Sequence, residues 1–201
     1  MNPNWAEENL QTIRTLMERS TLYRRALAPI VLFAGTVGFF AAAIGLIFEL
    51  DTPLGFGLVW LVAALTAIAG AFLIVRRQSV KAGEQFWSPP MRRIAQTLLP
   101  PLTAGFFVGL AFTYANISFA LPFLWALFYG CALHSAGFFM PRGVKLFGWV
   151  YILGTVAIVF GILIIKPPSF SAHWMMGFLF GVLHLGYGAY LYLSEKGKNA
   201  A

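Results

Sequence analysis

Five stretches of the 201-residue chain contain no Asp, Glu, Lys or Arg: 26–48, 52–75, 94–141, 146–165 and 167–194. A helix that crosses the hydrocarbon core of a bilayer needs about 20 apolar residues at 1.5 Å each. Four stretches fit one span apiece. The longest, 94–141, fits two, with a break at Asn116-Ile117-Ser118 and Pro122 in a first-turn position. Lipid offers no partners to backbone N–H and C=O groups, so only helices or closed barrels cross it. Long apolar runs without alternation select helices. The expectation is an all-α integral membrane protein with six transmembrane helices, near 27–49, 53–75, 97–116, 120–140, 145–165 and 172–193.

Composition points the same way. Hydrophobic residues make up 59% of the chain and charged residues 10%, against about 25% charged in soluble domains. That is too little charge to coat a water-facing surface and too much apolar surface to remain disordered. The organisation expected is a cytoplasmic or interfacial helix over 1–26, a six-helix transmembrane domain over 27–193 and a short cytoplasmic tail over 194–201.

The net charge of +7 records orientation. Short loops retain Lys and Arg on the cytoplasmic side. Arg14, Arg19, Arg24 and Arg25 precede span one; Arg76, Arg77, Lys81, Arg92 and Arg93 lie between spans two and three. Arg142 and Lys145 follow span four, and Lys196 and Lys198 follow span six. These thirteen bases fall on one side and Lys166 alone on the other, so both termini are expected inside. Since insertion accounts for the basic excess, no compact basic face is left for nucleic acid. The first apolar run starts at residue 26, after Glu7, Glu8 and Glu18, and passes Ala41-Ala42-Ala43 without ending, unlike a cleaved leader. The compact loops suggest a plasma membrane, specifically a prokaryotic inner membrane.

Residues 4–25 read as an amphipathic helix. Asn4 and Glu7 match a capping box, and Leu10, Ile13, Leu16, Met17, Tyr23 and Leu27 recur at three-to-four-residue spacing. The polar face mixes Glu with Arg, whereas surface-seeking helices are dominated by Lys and Arg. Leu10, Ile13, Leu16, Met17 and Tyr23 are therefore expected to meet a protein partner or a second copy. The 76–93 loop reads first as an anchor, with Phe86 and Trp87 at headgroup level and five bases facing anionic lipid; a docking site is the alternative. At the other end, Thr52-Pro53 reads as a hydroxyl N-cap before a first-turn proline, with Asp51 beside that positive helix end.

Ionisable residues inside spans are costly and point to function by default. Only His134 and His184 qualify, while His173 is placed at the mouth of span six. The two can share a depth if spans four and six touch, with Cys131 at i, i+3 from His134, Tyr187 at i, i+3 from His184, and Tyr151 at comparable depth. Candidate roles for His134, His184, Cys131, Tyr151 and Tyr187 are a haem or soft-metal site, a proton relay or polar-solute site, or plain inter-helix ties. The tie is the reading adopted, with no cofactor. Gly177, Gly181, His184 and Gly188 share one face of span six, which favours a buried His184. No Walker loop, nucleophile elbow or HExxH motif is present, and no span contains an internal acid. The function expected is a non-enzymatic scaffold, accessory or regulatory membrane subunit that contacts a partner through its N-terminal helix and basic loop. A small-solute transporter or ligand-binding bundle built on the His134/His184 layer is the alternative, and a haem or metal subunit the third.

Overall fold

The computed structural model describes residues 27–83, 85–165 and 171–199. The amphipathic stripe at Leu10, Ile13, Leu16, Met17 and Tyr23 lies outside these residues, as does Lys166. The described chain is helical without strands: α1 (Leu27–Ile47), α2 (Pro53–Lys81), α3 (Pro89–Tyr114), a short 3-10 turn (Ser118–Ala120), α4 (Leu121–Ala136) and α5 (Arg142–Ile165). The last helix, α6, joins an α-helical turn (Ala172–Met176), a π-helical segment (Gly177–Val182) and an α-helix (Leu183–Asn199). Five of the described helices are long and apolar enough to cross a membrane, while α4, at 16 residues, is shorter.

The helix ends follow local chemistry. Thr52 is extended and its hydroxyl accepts from the Gly55 N–H at 3.1 Å, with Pro53 in the first turn. Helix α3 stops where Asn116 takes φ 59°, a left-handed conformation that Asn tolerates, and Ile117 N–H returns to Phe112 O at 2.9 Å. Pro122 sits in the first turn of α4. Helices α2 and α3 run past the charge-free stretches because a charge ends the apolar span without ending the backbone hydrogen bonding. As a result Pro100 and Pro101 fall inside α3.

Successive helices run antiparallel. The backbone around Gly137 meets Lys145 and that around Gly130 meets Tyr151, which sets α4 against α5; Gly105 faces Phe128 and Gly109 faces Trp125, which sets α3 against α4. Helix α1 lies against α6 through a ladder of small residues, with Gly35 beside His184 and Leu185, Gly38 and Gly181 nearly backbone to backbone, Gly45 beside His173, and Gly188 beside Leu32. Van der Waals packing of this kind holds helices together where lipid supplies no hydrophobic drive. Outward, α2 exposes Leu54, Leu58, Val62, Leu65 and Ile68 along its length. Such a face is a liability in water and ordinary against lipid.

A Cβ on Gly38 would overlap the Phe180 carbonyl, which is backbone and cannot swing aside. Gly38→Ala is expected to destabilise the bundle by about 1–3 kcal/mol, read as a lower unfolding midpoint in detergent. Gly154, with nothing near its Cβ position, should accept Ala without such a loss.

Candidate functional site

The site grows from the π-helical segment of α6. Here Leu183 N–H bonds to Phe178 O, one residue further back than in an α-helix. The Leu179 carbonyl thereby turns to side chains. Tyr151 of α5 donates its hydroxyl to it, and His184 Nδ1 lies 3.3 Å away. His184 Nδ1 is also 3.0 Å from Tyr151 Oη, and Nε2 is 2.8 Å from Tyr129 Oη of α4.

One proton arrangement satisfies this network. A carbonyl only accepts, so the Tyr151 proton points at Leu179. Tyr151 Oη then accepts from Nδ1–H, and the bare Nε2 accepts from the Tyr129 hydroxyl. His184 is held as the neutral Nδ1–H tautomer, 2% exposed. Phe147 and Phe180 enclose the ring, 5.4 and 5.8 Å away between centroids, the Phe180 ring stacked and the Phe147 ring edge-on. A packed aromatic box surrounds one imidazole that joins α4, α5 and α6.

His134 takes a different direction. Its ring contacts are Phe138 and Trp149, at 5.5 and 5.0 Å, and its buried Nδ1 has no hydrogen-bond partner among the described residues. The reason is angular. Tyr129 points at His184, and His134 lies five residues on, about 140° further around α4. Of the expected constellation, His184 and Tyr151 come together. Tyr187 stacks on Phe147 at 4.2 Å, so that Phe147 touches both rings. Cys131 is half-buried and free, and takes no part in the His184 network. Among the described residues no group of three or more His, Cys, Asp or Glu is placed to hold a metal ion.

Two participants escape a reading by depth alone. Tyr129, not His134, supplies the α4 contact to His184. His173, the second residue of α6, is fully buried there. Its Nδ1 accepts from Trp60 Nε1–H at 3.2 Å, and its Nε2–H donates to Leu50 O at 3.1 Å, the opposite tautomer to His184. Beside it, Ser171 Oγ donates to Asp51 Oδ1 at 2.5 Å and accepts from the His173 N–H at 3.2 Å. Asp51 thus bonds to the start of α6 rather than only flanking the α2 terminus. The available signal was polarity: Trp60 and Tyr129 are donors in spans with few other polar groups.

No family model, curated protein or solved structure matches the chain.

Tyr129→Phe leaves His184 Nε2 unpaired in an apolar box and is expected to cost about 1–3 kcal/mol. In a double-mutant cycle with His184→Phe the two losses should fall short of additivity by about 0.6–1.7 kcal/mol. Strict additivity of the unfolding free energies would show that the pair is not coupled.

Proposed function

We propose that this chain is a non-enzymatic accessory or scaffold subunit of a plasma membrane, prokaryotic inner membrane by its compactness, with six spans and both termini cytoplasmic. In this topology α4 is the fourth of the six spans; its 16 residues, about 24 Å of helix, pack between α3 and α5, and the adjoining 3-10 turn supplies the rest of the crossing. The single observation that carries the reading is the state of His184. Both ring nitrogens are engaged by Tyr129, Tyr151 and the Leu179 carbonyl, so this buried polar group is used to fasten helices. An imidazole engaged in this way presents neither lone pair nor proton to a solute or to a haem iron.

Activity then belongs at the surface. Residues 4–25, whose spacing reads as an amphipathic helix with Leu10, Ile13, Leu16, Met17 and Tyr23 on one stripe, are the segment we assign to a protein partner or second copy. Deleting residues 1–22 is expected to abolish partner co-purification while the spans keep their unfolding midpoint. Unchanged partner recovery would sink the assignment.

The solute-binding reading retains two observations in its favour, the buried His134 Nδ1 and the buried Tyr187 Oη, neither with a hydrogen-bond partner among the described residues. It requires that His134→Ala abolish solute uptake into vesicles, with His184→Ala doing the same. On the scaffold reading neither substitution alters uptake.

A further inference from the structure

We infer that the α2 C-terminus and α3 N-terminus form a docking surface for anionic phospholipid headgroups of the phosphatidylglycerol type. Asp51 and the Thr52 cap place the start of α2 at one membrane boundary, since a carboxylate does not enter the hydrocarbon. Helix α2 has 29 residues, about 43 Å, against a core of about 30 Å. Arg76 lies about 35 Å along it and Lys81 about 42 Å, so both emerge at headgroup depth. After the turn, α3 brings Arg92 and Arg93 back to the same level, because α2 and α3 are adjacent in the chain and Gly57 faces Thr113 at their far ends.

Arg76, Arg77, Lys81, Arg92 and Arg93 are all exposed, and among the described residues none of them forms an ion pair. Arg77 and Lys81 stand at i, i+4, where like charges repel on a helix face. The α2 carbonyl terminus offsets this for Lys81, but no group among the described residues does so for the arginines. An anion layer against them removes the repulsion.

The aromatic residues give the surface its depth. Phe86 packs edge-on against Phe72 of α2 at 4.5 Å and lies 6.2 Å from Trp87. Trp87 is 48% exposed. This row climbs from the lipid-facing flank of α2 to the level of the bases, as amphipathic rings do at a membrane boundary. Pro89 and Pro90 begin α3 without N–H groups, so recognition falls to long, separately solvated side chains. Long, exposed cationic side chains at a membrane boundary suit a diffuse anionic surface.

Full-length protein in mild non-ionic detergent is titrated with phosphatidylglycerol or with phosphatidylcholine, and bound lipid is counted by native mass spectrometry. Phosphatidylglycerol should be retained at least about tenfold better, at roughly fivefold per base engaged. Replacing Arg76, Arg77, Arg92 and Arg93 together by Gln should bring it down to the phosphatidylcholine level, while replacing all four by Lys should preserve it. Equal retention of the two lipids, or undiminished phosphatidylglycerol on the Gln variant, overturns the proposal. So does a protein that co-purifies with the wild type and is lost from the Gln variant while lipid retention stays the same. If the Gln variant does not fold, a wash of the wild type at about 1 M salt decides: loss of phosphatidylglycerol supports the surface, and its persistence overturns it.

Discussion

The Leu179 carbonyl lies in a part of the bundle where water is not available to donate hydrogen bonds, and the α4, α5 and α6 contacts are arranged around satisfying it. Shifting the ladder by one residue at Gly177–Val182 turns this carbonyl to side chains. Tyr151 and His184 answer from two helices, and Tyr129 closes the chain from a third. An unpaired group at such depth costs several kcal/mol, so keeping the Leu179 carbonyl and both His184 nitrogens engaged constrains the position of α6 relative to α4 and α5. Close approach of α1 through Gly35 and Gly38 then seals the other side of α6.

The second histidine repeats the logic at the far end. His173 joins the α1–α2 loop, through Leu50, to Trp60 of α2 and to its own helix. Asp51 and Ser171 add a polar tie beside it. Two neutral imidazoles in opposite tautomers therefore clip α6 to different neighbours. His173 bonds one backbone carbonyl and one tryptophan, and His184 bonds two tyrosines, without introducing charge.

Much of the fold was legible in the sequence because charge and helix-end chemistry are local signals. The Asn116 break, the Thr52-Pro53 cap and the first-turn Pro122 all appear where residue chemistry puts them. His184 was legible as a buried residue from the glycines sharing its face. Its α4 partner was not. Helix α4 is apolar on every side, so its pattern carries no information about which face turns inward, and depth alone pointed to His134 where rotation selects Tyr129. The π-helical segment was equally hidden, since Gly177–Val182 reads as ordinary apolar helix and the extra residue pays off only when Tyr151 arrives from α5. Helix lengths beyond the membrane were underestimated because charges mark the bilayer edge and not the end of the helix, as α2 and α3 illustrate.

The central claim is that His184 is a neutral tie between helices, and ring-nitrogen labelling reads it directly. In full-length protein carrying 15N-histidine and reconstituted in lipid, solid-state NMR assigned with a His184→Phe control should show this ring protonated at Nδ1 and bare at Nε2. Tyr129→Phe should shift the Nε2 resonance and leave the other two histidines unmoved. A His184 ring protonated at Nε2, or one indifferent to the loss of the Tyr129 hydroxyl, would contradict the account.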